Sequence, residues 1–421
     1  MDIFRHQLRR ILCAPFFFGL LAAFLAFDLY LISTLSGVQR ELNLINDVAG
    51  QTGVQINENF EKKFTPILNA HTKDLETLYR QKTGKAPADA SSMLKSLSQD
   101  YYTLTEEQQR RFRDDSTIVQ LNGAIKGRNA FYEGYDVGMT GRTFIRQNKI
   151  GGASAEWITR NCDQLQDRVV QIKADGEKDT LFFPGAVYQV HGFLYGTLLK
   201  AIVMESAILG VLVLFFTLNY EFTHGTQSLA YTSRRGRRLP ADQFRAAMLV
   251  GILIPVFLMA VTLPVFFCNF HFSNLWGSSV SSAMNAEQAS GSVPYLTFRP
   301  MTMLQYLLAN IGLTLVVQTI FCLFAFAAAL FCRNSYLGFL GYGLVGMLLS
   351  ILPQFVPLGN LFYPLLSATP VFAWQNCGTW LTQINLFTAY PWYHAAVFSL
   401  GVLVTAMASL LGIRRFRRAD L

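Results

Sequence analysis

Six blocks of apolar residues, each close to twenty residues long, constrain this chain more than anything else in it. A hydrocarbon core of ~30 Å is crossed by about 20 helical residues. The blocks run over Pro15–Ser33, Phe193–Asn219, Ala246–Phe267, Leu304–Phe331, Tyr336–Val356 and Trp392–Ile413. Lipid offers no partner to an unpaired backbone group, so each block is expected to be a helix. The first block is longer than the apolar run of a cleavable leader, which favours a retained span.

The arginines then orient the chain. Arg5, Arg9 and Arg10 precede the first block. Arg234, Arg235, Arg237, Arg238 and Arg245 lie between the second and third, Arg333 between the fourth and fifth, and Arg414, Arg415, Arg417 and Arg418 after the sixth. With six spans all of these fall on one side, which the positive-inside rule makes the cytoplasmic one, both termini included. The net charge of +8 is therefore a sign of topology and of anionic lipid on that face, not of nucleic acid. Residues 37–191 hold acidic and basic side chains in equal number.

The fold class predicted is an all-α membrane protein. Six transmembrane helices carry a large, mainly helical extracytoplasmic domain between the first and second. Residues 1–12 alternate apolar and basic at helical spacing and predict an interfacial helix. The first span occupies 13–36 and the outer domain 37–191. A five-helix region covers 192–421, with a cytoplasmic loop at 220–245 and an outer re-entrant or interfacial segment at 358–391. In the outer domain Leu42, Ile45, Val48, Ile56, Phe60 and Phe64 recur at three- and four-residue steps, with a break at Gly50 and Gly53. Thr105 and Gln108 have the spacing of a capping box. Residues 82–92 read as a loop and 180–190 as a short extended stretch. The segment 358–391 is uncharged and aromatic, and its tryptophans suit the headgroup belt.

Chemistry-bearing constellations are sparse. The chain has no Walker A pattern, no His-Glu-x-x-His and no metal-ligand spacing, and its six histidines are scattered, suited to surface or interface positions. No cofactor, metal or catalytic residue is expected. Cys268 and Cys377 both fall toward the outer side, and their pairing is left open. Ionisable groups inside spans are costly, which singles out Asp28, Lys200 and Glu205. Asp28 and Lys200 lie at about the same depth and could pair. Glu205 lies deeper, either packed between helices or lining a substrate path.

The connection from Tyr220 to Arg238 is the richest local signal. Gly225 and Gly236 can make tight turns, Thr226 can cap a short helix, and Pro240 can open the next. Leu229 and Tyr231 offer an apolar contact, with Arg235 and Arg237 beside it. Glu221 could anchor the stretch on an arginine of the same loop or of a partner.

The run Glu221-x-x-x-Gly225-Thr226, then Thr232-Ser-Arg-Arg-Gly236-Arg, resembles the element that the membrane subunits of ABC exporters of the type-2 permease class place between their second and third spans. The order of elements along the chain resembles that family as well. The resemblance implies a multi-pass subunit of a bacterial cell membrane that exports or extracts a peptide, antibiotic or lipid-like substrate. It also implies that Glu221, Gly225, Thr226, Leu229, Tyr231, Arg235, Gly236 and Arg237 form a coupling helix on a separate ABC ATPase subunit, which binds the ATP. A second permease copy or a homologous permease would complete the assembly. The other reading of the same residues is a membrane receptor or scaffold whose outer domain binds a ligand.

Overall fold

The computed structural model describes residues 3–35, 37–87, 89–182, 185–232, 236, 239–285, 295–332, 334–358, 360, 362–383 and 391–418. Among these, six helices are long and apolar enough to cross a membrane, at Pro15–Thr34, Ala186–Leu218, Leu239–Asn269, Met303–Phe331, Ser335–Phe355 and Tyr393–Phe416. The described residues are otherwise helices, turns and isolated bridges.

In chain order the helices are α1 (Ile3–Leu12), α2 (Pro15–Thr34), α3 (Gln39–Thr52), α4 (Glu58–Thr83), α5 (Ala90–Gln99), α6 (Glu106–Glu133), α7 (Val137–Gln147), α8 (Gly152–Ala174), α9 (Ala186–Phe193), α10 (Leu199–Leu218), α11 (Tyr220–Thr223), α12 (Gln227–Thr232), α13 (Leu239–Asn269), α14 (Met303–Phe331), α15 (Ser335–Ile351), α16 (Phe362–Ser367), α17 (Pro370–Gln375) and α18 (Tyr393–Arg418). A π-turn at Leu194–Leu198 joins α9 to α10 as one span. The second span therefore begins at Ala186, not near Phe193, and only the first part of 180–190 is extended, at the bridge of Thr180 to Gln55.

The bundle closes around α10, α13 and α14. Between apolar helices in lipid, close approach and interhelical hydrogen bonds replace the hydrophobic drive. Both occur at one level here. Gln318 Nε2 on α14 donates to the carbonyls of Ser206 on α10 and Gly251 on α13, each at 2.9 Å. A Cβ at Gly210 or Gly251 would collide with Gln318 or Cys322, so glycine is what lets the three backbones meet. α14 opens with a capping box between Thr302 and Gln305.

The helices α3–α8 form a domain at the end of the bundle where α2 ends and α9 begins, here the domain end. α4 and α6 pair along their length, and Leu42, Ile45, Val48, Phe60 and Phe64 are buried at the predicted spacing. α3 stops before Gly53, whose φ of 83° suits glycine. The capping box at Thr105 and Gln108 is formed. The loop expected at 82–92 is present but shorter, since α4 runs to Thr83 and α5 starts at Ala90 behind the cap of Asp89.

Residues 278–285 and 295–302, after α13, are built into the same domain. Arg168 grips Glu177 with two bonds of 2.7 and 2.8 Å and donates to the Thr297 carbonyl at 2.9 Å. Ser279 Oγ donates to Glu177, and Ser278 and Ser282 donate to the carbonyls of Leu181 and Thr180. The domain thus needs two separate pieces of chain, which periodicity within 37–191 could not show.

The segment after α15 is a hairpin of the short helices α16 and α17 and a tight turn at Cys377–Thr379, not a further span. Its turn lies on the π-turn, where a Cβ at Gly378 would stand 2.9 Å from Gly196 Cα. Trp380 is fully buried and donates to the Ala373 carbonyl at 2.7 Å. It is a core residue and not part of a headgroup belt. His191 and His394, expected at surfaces or interfaces, are buried too. His191 stacks on Tyr306 at 5.7 Å. Cys268 and Cys377 are both free thiols, one exposed and the other buried.

Candidate functional site

At the opposite end, the loop end, the chain turns from α10 through α11 and α12 into α13. Asn219 ends α10, and Glu221 sits in the next turn, 6% exposed. A carboxylate so placed needs partners. Arg10 Nη1, on the N-terminal helix α1, reaches Glu221 Oε1 at 3.2 Å, and Gln243 Nε2 on α13 donates to Oε2 at 2.8 Å. The same two side chains each donate to the carbonyl of Thr217, at 3.0 Å. The Arg10 guanidinium also lies 3.8 Å from the Tyr220 ring centroid. One node thus ties α1, α10, α11 and α13. Among the described residues the arginine that meets Glu221 is Arg10 of α1, while the loop's Arg234 and Arg238 lie outside them.

Arg10 was expected only as part of the basic face of a helix over 1–12, and Gln243 was passed over. The available signal was Gln243 on a face of α13 shared with Leu239, Pro240, Ala246 and Ala247.

Beyond the node, Gly225 takes φ 66° and its N–H bonds to the Phe222 carbonyl. Thr226 N–H bonds to the Glu221 carbonyl, and the Thr226 carbonyl accepts from Ala230 to start α12. Gly236 packs on that helix so closely that a Cβ would stand 2.5 Å from Tyr231 Cα. Glycine is therefore needed at both turns, as the motif suggested. Arg235 and Arg237 lie outside the described residues.

The two apolar residues of α12 part company. Leu229 is 78% exposed. Tyr231 is buried inside the chain, against Phe222 at 5.8 Å and Phe416 of α18 at 5.2 Å. The expected two-residue contact is thus a single outward leucine with an inward tyrosine that locks α12 to the last span. Residues of a helix separated by two positions face different sides, which spacing on so short a helix did not resolve.

The intramembrane charges do not pair as expected. Asp28 Oδ2 accepts from Thr262 Oγ1 of α13 at 3.0 Å. Lys200 Nζ donates to the Gln375 carbonyl at 2.8 Å and lies 5.7 Å from the Trp374 ring centroid. The hairpin seated on the π-turn captures Lys200, while α2 leans on α13. Depth along the helices could not reveal either neighbour. Glu205 is 5% exposed, and neither oxygen has a hydrogen-bond partner among the described residues. It is packed between helices and takes no part in the cavity described next.

That cavity, of about 800 Å³, opens between α15 and the rest of the bundle. At its loop end α15 is pinned, with Gly338 against the Phe215 ring, Ser335 Oγ bonded to the Phe215 carbonyl and Tyr342 OH to the Phe321 carbonyl. Farther along it meets the short helix α17, and of the whole helix only Gly338 is buried. No family model, no curated protein and no solved structure matches this chain.

Proposed function

We propose that the chain is the permease subunit of an ATP-driven ABC exporter, with both ends and α12 on the cytoplasmic side. A separate ABC ATPase subunit would dock on α12, and a second permease copy would complete the translocation path for a peptide, antibiotic or lipid-like substrate. One arrangement supports this reading above all. A short helix projects an exposed Leu229 from the loop end, while Glu221, Arg10 and Gln243 fasten its root to three other helices. A push on α12 would be passed to α1, α10 and α13 together instead of being lost in a slack loop.

The experiment is capture of a Walker-motif ATPase from the native membrane by the tagged chain, followed by ATP hydrolysis with and without the permease. The reading predicts an ATPase in near-stoichiometric yield with the wild type, and several-fold less with Leu229→Asp at equal expression. Absence of any ATPase from the wild-type preparation would overturn it.

A further inference from the structure

The cavity beside α15 is apolar over most of its walls. Its depth is lined by apolar groups such as Met204, Phe324 and Val404, whereas Ser350, Thr369 and Gln375 enter it toward the domain end. Gly343 and Gly346 face open space, with nothing within 4 Å of where a Cβ would stand.

Lys200 is not itself a wall residue but lies directly behind the polar end. Its ammonium is bonded to Gln375 and lies near Trp374, and both of those residues line the cavity. A lysine ammonium has three donors, and the Gln375 carbonyl takes one. Among the described residues no carboxylate forms an ion pair with it. A fixed cation near the end of a span, with no paired carboxylate among the described residues, favours an anion such as a lipid phosphate. The walls beyond it belong to helices that face lipid, and lipid is the apolar matter present there in excess.

We propose that this cavity binds one membrane phospholipid with an anionic headgroup, its acyl chain lying along α15 and its phosphate at Lys200. The proposal rests on the six spans lying in a bilayer and is independent of any ATPase partner.

The test uses the full chain in nanodiscs doped with phosphatidylglycerol or phosphatidylcholine, each carrying a photoactivated diazirine in the acyl chain. Crosslinked peptides are mapped by mass spectrometry. Crosslinks are expected on α10, α15 and α17, several-fold stronger with phosphatidylglycerol. Lys200→Gln should remove that preference while leaving some labelling. Gly346→Leu, which grows into open space, should abolish labelling with insertion and thermal stability unchanged. Equal labelling by the two lipids in the wild type would overturn the proposal, as would labelling unaffected by Gly346→Leu, the mark of loosely surrounding lipid. A covalent link between two copies through α15 in place of lipid labelling would overturn it too, by assigning the cavity to a second chain.

Discussion

Glu221 holds its charge between donors from two different helices, and that makes its partners as telling as the residue itself. Arg10→Met removes the ion pair and a donor to Thr217 at once, leaving a buried carboxylate with Gln243 alone. Breaking a buried pair from one side costs about 3 kcal/mol or more. Arg10→Met should therefore lower the melting temperature in detergent, whereas Arg9→Met, on the exposed face of α1, should leave it unchanged. Arg10→Met with Glu221→Gln should recover part of the loss, because no charge is then stranded. Additive losses in that double-mutant cycle would show that the node is not coupled.

At the scale of elements, α12 separates two roles that one motif had merged. Tyr231→Ala empties a site between Phe222 and Phe416 and should destabilise the loop end, by about 3 kcal/mol on the scale of large aromatic truncations. Leu229→Asp should leave the melting temperature unchanged, and equal thermal losses in the two variants would contradict this division. The α4–α6 pair makes a different prediction. His71 Nδ1 lies 2.7 Å from Asp115 Oδ1. That hydrogen bond, with the nearby charges of Asp74 and Asp114, raises the His71 pKa above 6.5. A raised folded-state pKa gives stability that is complete below the unfolded value and fades as pH rises through the folded one. Burial also moves Asp115 upward from the usual carboxylate value, an effect that starts at lower pH than the His71 titration. His71→Gln should thus lower stability at about pH 6 and have little effect at about pH 9, read from melting curves across that range. The helices themselves were legible in the sequence, because three- and four-residue spacing is a local property. The partners of Asp28, Lys200 and Glu221 were not, since each lies on a helix distant in sequence whose rotation only packing decides.

For the whole molecule, the opposite ends of the bundle supply a topology test. In a background with the exposed Cys13 and Cys268 changed to serine, a cysteine at exposed position Lys95 and one at exposed position Leu229 should lie on opposite faces of the membrane. An impermeant maleimide added to intact cells should reach the first and miss the second; labelling of both would refute the six-span arrangement. The six spans were plain in the sequence because length and apolarity suffice to mark them. The cavity was not, because it arises from how α15 packs against helices distant in sequence. The two-piece construction of the domain end also sets a schedule. During synthesis residues 37–182 leave the ribosome long before 278–302, and until α13 has been threaded Arg168 and Glu177 lack Ser279 and the Thr297 carbonyl. The domain must wait, partly assembled, for a span made later to deliver its last pieces, so its maturation reports that the third membrane crossing has been completed.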